Sequence, residues 1–244
     1  MARFRLDQIL VSRGLVQSRA RAADLVARGA VRIGDDIARK AGQMIDDTVA
    51  ITVDETANAY VARSGAKLAA ALDHFGFAAS GRIALDIGAS TGGFTQVLLE
   101  RGAARVYGVE VGRDQLHARL RADTRIVSLE QTDARDLTPI LIPEPIDAIV
   151  ADVSFISLTQ ALPKPLAFAV PGAWLVALVK PQFEAGREAL AKRGVVKDEA
   201  ARAAAVSRIA AWLRAQGWRV VGDMVSPLPG KDGNIEHLIG ATLP

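Results

Sequence analysis

The 244-residue chain contains no cysteine, three histidines and only 5% aromatic residues. The missing cysteine excludes disulfides, thiolate catalysis and zinc sites built on cysteine, and it suits a reducing compartment. The histidines, His74, His117 and His237, are widely separated in the sequence, which leaves little from which to build a metal centre. Long apolar runs are missing as well. The uncharged run from Leu166 to Val179 spans 14 residues and contains Pro171 and Gly172, so it is too short and too broken to cross a membrane. The leading MARFRLDQILVSRG has no apolar stretch of the kind that forms a secretory signal. These absences predict a soluble, cytoplasmic protein. With 50% hydrophobic and 23% charged residues, the chain can build one large core, or one core with a small appended domain.

The net charge is only +3, weak evidence by itself for a polyanionic partner. Its distribution is more informative. Residues 1–45 hold nine Lys/Arg against four Asp, the footprint of a phosphate-binding segment or of a solvated charged face. In this segment RLDQILVSRG places Leu6, Ile9, Leu10 and Val11 on one helical face and ends at Gly14. SRARAADLVARG begins at Ser18, a residue type suited to an N-cap, and ends at Gly29, suited to a C-cap. AVRIGDD and DTVAITV then alternate like two short strands. The reading is a small α+β domain over residues 1–53, a linker over 54–62, and a second domain over 63–244.

In the second domain, strand and helix signals alternate. Strands are predicted at Arg82–Ile87, Arg105–Val109, Arg125–Leu129, Ile146–Val150, Ala173–Val179 and Trp218–Val225, with a last one in EHLIGATL. Helices are predicted at Ser64–Phe75, Phe94–Arg101 and Glu199–Gln216. Such alternation makes an α/β, doubly wound, mainly parallel sheet. Only SPLPGKDGN, with no helix, joins the last two strands, so they should pair antiparallel. Ligands in these folds bind beyond the carboxyl ends of the strands.

The first of these strands runs into LDIGASTGGFTQVLLERG, where Gly88, Gly92 and Gly93 let backbone approach a ligand ahead of a helix N-terminus. Three functions compete for this loop. A phosphate-binding P-loop needs Gly-Lys-Ser/Thr, and Gly-Gly-Phe-Thr stands there instead. A nucleophile elbow fits Gly88-Ala89-Ser90-Thr91-Gly92, with Asp152 and His237 following in the order a hydrolase uses. Against it, the loop follows the first strand of its domain and no HGGG-like segment is present. A nucleoside cofactor site is the third reading. Asp86, Glu110 and Asp133 each stand near a successive strand end, where an acid can hold ribose hydroxyls or an adenine edge. Three acids would repel a pyrophosphate but not S-adenosylmethionine, which carries a cationic sulfonium and no phosphate.

DIGASTGGFTQVLLERGA, DVSFISL, LVKPQFEAG and SPLPGKDGNIEHL together resemble the TlyA (haemolysin A) family of ribosomal RNA 2'-O-methyltransferases, related to FtsJ-type enzymes. The leading RLDQILVSRG…SRARAADLVARGAVRIG resembles the alpha-L RNA-binding motif of the ribosomal-protein S-four class. The resemblance covers essentially the whole chain. It implies a Rossmann-like class I methyltransferase sheet, S-adenosyl-L-methionine as cofactor, and a cytidine ribose in ribosomal RNA as substrate. It also implies a catalytic tetrad, matched here by Lys67 in RSGAKL, Asp152 in VADVSFI, Lys180 in LVKPQFE and Glu236 in GNIEHL. Asp86, Gly88, Ala89, Ser90, Gly92, Gly93, Phe94, Glu110 and Asp133 are the expected cofactor residues. Ser18, Arg19, Arg32 and Lys40 are the expected RNA contacts. The chain runs eight residues past Glu236, which under this resemblance favours large-subunit (23S) over small-subunit (16S) RNA. An assembly factor with a degenerate methyltransferase domain is the alternative, and the intact tetrad argues against it.

Lys180 poses the sharpest question in the sequence, because GAWLVALVK ends an apolar strand on a cation that is costly to bury alone. A 2'-hydroxyl must lose its proton as it attacks a methyl group, and Lys180 is the candidate to take that proton or to position the oxygen. An ordinary lysine, of pKa about 10.4, is a poor base at neutral pH. Burial and a second ammonium favour the neutral form, whereas carboxylates favour the charged one. Arg187, Lys192, Arg193 and Lys197 mark a segment that either covers the substrate or is a charged surface loop. Phe94 is expected under the cofactor loop, and His74 and His117 on the surface.

Overall fold

The computed structural model describes residues 3–16, 18–27, 29–54, 60–184, 194–230 and 233–244. The chain divides into two compact units, Met1–Tyr60 and Val61–Pro244. Much of the predicted linker, residues 55–59, lies outside the described residues, as do Arg187, Lys192 and Arg193.

The first unit runs β1 (Arg3–Arg5), α1 (Leu6–Ser12), α2 (Arg19–Ala27), β2 (Val31–Ile33), β3 (Asp36–Ile37), β4 (Met44–Asp46) and β5 (Ile51–Val53). Helix α1 buries Leu6, Ile9 and Leu10, and α2 buries Ala22, Leu25 and Val26. These are the i, i+3, i+4 positions of an amphipathic helix. They meet Val31 and Ile45 in a core of their own. The predicted helix ends hold: Ser18 Oγ accepts from the Arg21 amide at 3.2 Å, and Gly14 and Gly29 adopt φ of 68° and 73°. The antiparallel β3-β2-β5 sheet matches the two predicted strand segments. A second ladder, β1 with β4, has no periodicity to announce it, because each strand is three residues long.

The second unit runs α3 (Ser64–Phe75), β6 (Ile83–Ile87), α4 (Gly93–Glu100), β7 (Arg105–Val109), α5 (Ala118–Arg121), β8 (Ile126–Leu129), β9 (Ile146–Ala151), α6 (Leu158–Ala161), α7 (Pro163–Leu166), β10 (Ala169–Val179), α8 (Pro181–Glu184), α9 (Glu199–Ala215), β11 (Arg219–Val225) and β12 (His237–Thr242). The strands form one seven-stranded sheet in the order β11-β12-β10-β9-β6-β7-β8. Strands β8 to β10 are parallel to their neighbours through β6, and β12 is antiparallel to both β10 and β11. The last strand is therefore inserted between β10 and β11. Its residues Leu238–Ala241 are buried, whereas β11 alternates between exposed and half-buried positions as an edge strand does.

The strand order reverses direction at β6 and β9, where two crossovers leave toward opposite edges. Such a switch point opens a crevice at the carboxyl ends of the strands. One face of the sheet carries α3, through Phe75, Phe77 and Trp174. The Phe77 and Trp174 rings stack at 5.3 Å between centroids, and Trp174 Nε1 donates to the Ala78 carbonyl at 3.0 Å. Phe75 lies over Gly240 in β12, where a Cβ would stand 2.8 Å from the ring.

Gly240→Ala would force Phe75 and α3 off the sheet, and overpacking of this kind costs about 1–3 kcal/mol. All three tryptophans, Trp174, Trp212 and Trp218, belong to the second unit. A urea titration followed by tryptophan fluorescence should therefore show the midpoint falling for this variant, and an unchanged midpoint would refute the packing argument.

Candidate active site

Four charged side chains meet at the carboxyl edge of the sheet as two ion pairs. Lys67, on the first turn of α3, places Nζ 2.5 Å from Glu236 Oε2, and both groups are buried. Lys180, the residue after β10, places Nζ 2.7 Å from Asp152 Oδ1 and donates to Ser154 Oγ at 2.8 Å. Asp152 follows β9 directly. Glu236 stands just before β12 and not on it, a correction to its predicted place on the last strand. The register makes that shift useful: Val179 pairs with His237, so the next residues along, Lys180 and Glu236, face each other across the strand ends. Burying a lone ammonium is prohibitive, and each lysine here is supplied with its own carboxylate.

Beside Lys180 lies a cavity of about 240 Å³ bounded by Ala62, Ser64, Gly88, Ser90, Asp152 and Lys180. A cleft of about 370 Å³ continues past Gly88 and Ser90 to Glu110, Thr132 and Asp133. Gly88 has φ of 80°, and a Cβ there would stand 2.7 Å from the Asp152 carbonyl oxygen, so only glycine lets the loop pass over β9. The loop amides are turned inward. Those of Gly88 and Ala89 donate to the Val109 carbonyl at 2.9 and 3.1 Å, and that of Gly92 donates to the Ala89 carbonyl at 2.8 Å. The Ser90 amide donates to Glu110 Oε2 at 3.0 Å. Backbone donors engaged in this way do not make a phosphate cradle. Gly92 and Gly93, predicted at the ligand, line neither cavity. Both admit neighbours instead: Leu116 and Leu120 at Gly92, and Ser64 and Ala62 at Gly93. Phe94 is buried beneath the loop, as the sequence suggests, and reaches the smaller cavity.

The three predicted cofactor acids are not equivalent. Glu110 follows β7 and lines the cleft, held by the amides of Ser90 and Gly112, the latter at 2.7 Å. Asp133 also lines it, but it stands four residues beyond β8 and caps a short 3-10 turn, Ala134–Asp136. Its carboxylate is gripped by Arg135, with Nη2 2.6 Å from Oδ2, and that ion pair pulls its pKa below the usual range. Asp86 does not line the cleft; it is fully buried within β6. Thr95 Oγ1 donates to Asp86 Oδ2 at 2.6 Å, while Oδ1 has no hydrogen-bond partner. Burial, reinforced by the charges of Asp152 and Glu110, pushes its pKa up to about 7. Asp152 Oδ1 is taken by the Lys180 ammonium, and Gln182 Oε1 is buried without a hydrogen bond. Glu110 and Asp133 give the cleft its carboxylate acceptors, a set matched to a cationic ligand bearing hydroxyls, and S-adenosylmethionine is such a ligand.

The serine-hydrolase arrangement is not assembled. Asp152 is taken by Lys180, and His237 Nδ1 lies 3.1 Å from Asp223 Oδ2 on the neighbouring strand. His117 caps α5, accepting from the Arg119 amide, and His74 is exposed at the end of α3. Among the described residues no cluster of His, Asp or Glu is arranged to hold a metal ion.

In the first unit, the Ser18 hydroxyl is occupied as the α2 cap and so is not a free RNA contact. Arg19 is exposed but anchored: its Nη2 lies 3.0 Å from Asp7 Oδ2. The same buried Asp7 holds Arg5, 3.0 Å away, and these guanidiniums, Arg5 foremost, keep its pKa down to about 2. Arg32 and Arg39 border a shallow groove, and Lys40 is exposed beside it in sequence. Sequence reasoning missed Arg5, Asp7, Thr95 and Ser154. Ser154 stood in the quoted DVSFISL two residues after Asp152, but nothing in that spacing says its hydroxyl reaches Lys180.

The family model for FtsJ-like methyltransferases matches residues 60–243. The chain belongs to the FtsJ-like methyltransferase family. A second family model, for the S4 domain, matches residues 4–49. Among relatives of this FtsJ-like chain, the 16S/23S rRNA (cytidine-2'-O)-methyltransferase TlyA of Mycobacterium tuberculosis is 48% identical, the alignment covering 97% of this chain and 89% of TlyA. A solved structure of a candidate hemolysin from Streptococcus thermophilus is 38% identical, with a TM-score of 0.78, and the match covers 100% of this chain and 89% of that one. Fibrillarin of Aeropyrum pernix, solved with S-adenosyl-L-methionine natively bound, has the same fold at 21% identity, with a TM-score of 0.52 and 76% of each chain covered. No helix among the described residues is long and apolar enough to cross a membrane.

The raised pKa of Asp86 has a definite sign in stability. The folded protein holds a proton that the unfolded chain releases above about pH 4. This group's contribution is therefore fully present below about pH 4, declines as pH rises to about 7, and is constant above. Asp86→Asn removes the titration. The variant's urea midpoint should gain on the wild type's between pH 4 and 7, and a difference independent of pH would contradict the assignment.

Proposed function

We infer that this FtsJ-like chain transfers a methyl group from S-adenosyl-L-methionine to the ribose 2'-hydroxyl of a cytidine in ribosomal RNA, with 23S RNA the expected substrate and 16S RNA the alternative. The observation that carries this reading is Lys180, held between Asp152 and Ser154 at the wall of the cavity that continues into the acidic cleft. When bound, the cofactor supplies an electrophilic methyl group on a sulfonium. Everything else falls to the chain's own residues.

A hydroxyl entering the smaller cavity meets Lys180, which as the ammonium fixes the oxygen in line for attack or, after giving up its own proton to solvent, takes the hydroxyl's; positioned proton transfer of this kind contributes about 10²- to 10⁴-fold. Asp152 keeps the amine in place. Lys67 and Glu236 neutralise each other and hold the strand ends that carry Lys180. Glu110 is placed to accept hydrogen bonds from cofactor ribose hydroxyls and Asp133 to face the base edge, while Asp86 stays enclosed behind the loop, bonded to Thr95. Gly88, Ala89 and Ser90 form the floor between the two groups of acids.

The first unit is the RNA anchor. Arg19, Arg32 and Lys40, with Arg5 added from the geometry, present cations for phosphates. Tethering this anchor to the catalytic unit raises the local concentration of target, and its share of affinity should fall with salt. A ribosomal subunit in the cytoplasm is the natural context for such a substrate.

Incubation of the enzyme with labelled S-adenosylmethionine and unmodified ribosomal subunits, followed by nuclease digestion, should place the label on a cytidine 2'-oxygen. Lys180→Ala, checked for folding by tryptophan fluorescence, should lower the rate by about 10²- to 10⁴-fold. Label on a base nitrogen or carbon, or an undiminished rate in the variant, would overturn the reading.

A further inference from the structure

Glu184 is a buried carboxylate that lines neither the smaller cavity nor the cleft. Its Oε2 accepts from the Ser157 hydroxyl at 2.6 Å and its Oε1 from the Leu158 amide at 2.8 Å. Its backbone carbonyl accepts from Arg208 Nη1, on α9, at 2.8 Å. Among the described residues no cation pairs with the carboxylate itself. A charge enclosed on neutral donors alone is costly, so its place needs a reason. Capping of α6 is not enough: that helix has four residues, and Ser157 already caps it by accepting from the Thr159 amide.

The two ends of the contact supply the reason. Glu184 closes α8, the single turn that begins one residue after Lys180, and the Phe183 amide donates to the Lys180 carbonyl at 2.9 Å. Ser157 and Leu158 end the loop that leaves β9 with Asp152 and Ser154. Two short segments therefore face each other. At one end Lys180 meets Asp152 at 2.7 Å and Ser154 at 2.8 Å. At the other end Glu184 meets Ser157 and Leu158. Between them the Phe155 and Phe183 rings touch, with centroids 5.2 Å apart. A lysine ammonium rides on a flexible four-carbon stem, so its location depends on where the backbone beneath it is held.

We propose that Glu184 is a positioning residue: it bolts the turn that follows Lys180 to the loop that carries Asp152 and Ser154, and so sets where the Lys180 amine stands in the smaller cavity. This rests on the reading of the chain as a ribose 2'-O-methyltransferase that acts through Lys180. Misplacing a reacting group by about 1 Å costs about 10²-fold in rate. No proton or methyl group passes through Glu184, and its effect reaches the reaction through Lys180 alone.

Glu184→Ala, Glu184→Gln and Ser157→Ala are made in the wild type and again in Lys180→Ala. S-adenosylmethionine affinity of the enzyme alone is measured, with kcat and KM for methyl transfer to unmodified ribosomal subunits. In the wild-type background Glu184→Ala should lower kcat by about 10- to 100-fold. KM and cofactor affinity should stay within about twofold, because the contact bears on the placement of Lys180 and not on ground-state binding; the unchanged affinity also certifies the fold. Glu184→Gln should keep kcat within about threefold of the wild type, since a carboxamide can accept from Leu158 and donate to Ser157. In the Lys180→Ala background Glu184→Ala should cost nothing further, whereas a merely stabilising residue would cost the same in both backgrounds. If Glu184→Ala does not fold, Ser157→Ala, which removes one of the two bonds, is judged by the same criteria. An undiminished kcat, a matching loss of cofactor affinity, or an equal further loss in the Lys180→Ala background would overturn the positioning role alone. A wild-type enzyme that methylates no ribose, or an undiminished rate in Lys180→Ala, would overturn the underlying reading and the role with it.

Discussion

The buried ion pair between Lys67 and Glu236 is the constraint on which the carboxyl edge of the sheet depends. It joins the first helix of the second unit to the approach of the last strand, 169 residues later. Taking two charges out of water costs several kcal/mol each, and their attraction offsets this only in good geometry. Such a pair is a poor source of stability and a strict condition on structure: neither partner can move without stranding the other's charge. Glu236 is thereby held where the antiparallel register brings it opposite Lys180. The insertion of β12 between β10 and β11 is what makes this meeting possible.

The second pair, Lys180 with Asp152, is less buried and faces the cavity. It differs from the first in access. A fully enclosed ammonium is a fixed counter-charge, whereas one with a wall of open space beside it can meet a substrate. The cleft adjoining it is lined by the carboxylates of Glu110 and Asp133, and the buried Asp86 behind it is kept partly protonated near neutral pH by its surroundings. A cation arriving in the cleft would meet those two half-buried carboxylates. Electrostatics of this kind select for a positively charged cofactor without any basic residue being spent on it.

Much of this was legible in the residues. The alternation of apolar strands and helices located the sheet, because a half-buried helix and a fully buried strand leave different periodicities. The helix Ser64–Phe75 and the strand Arg105–Val109 fall where the pattern places them. Four separated charged residues could be paired only through resemblance, since no local spacing relates Lys67 to Glu236. The acids were read as equivalent strand-end groups, yet Asp86 is enclosed and Asp133 is tied to Arg135; burial and ion pairing are tertiary properties with no sequence period. The same holds for Ser154, whose hydroxyl meets Lys180 only through the folding of its loop.

The central claim is that Lys67, Asp152, Lys180 and Glu236 act as one assembly. Residues acting as a unit show losses that do not multiply. The decisive measurement is kcat/KM for methyl transfer to ribosomal RNA in Lys67→Ala, Lys180→Ala and the double variant, each verified as folded. The account predicts that the double variant is no worse than the more damaged single one. A double variant whose loss equals the product of the two single losses would contradict it.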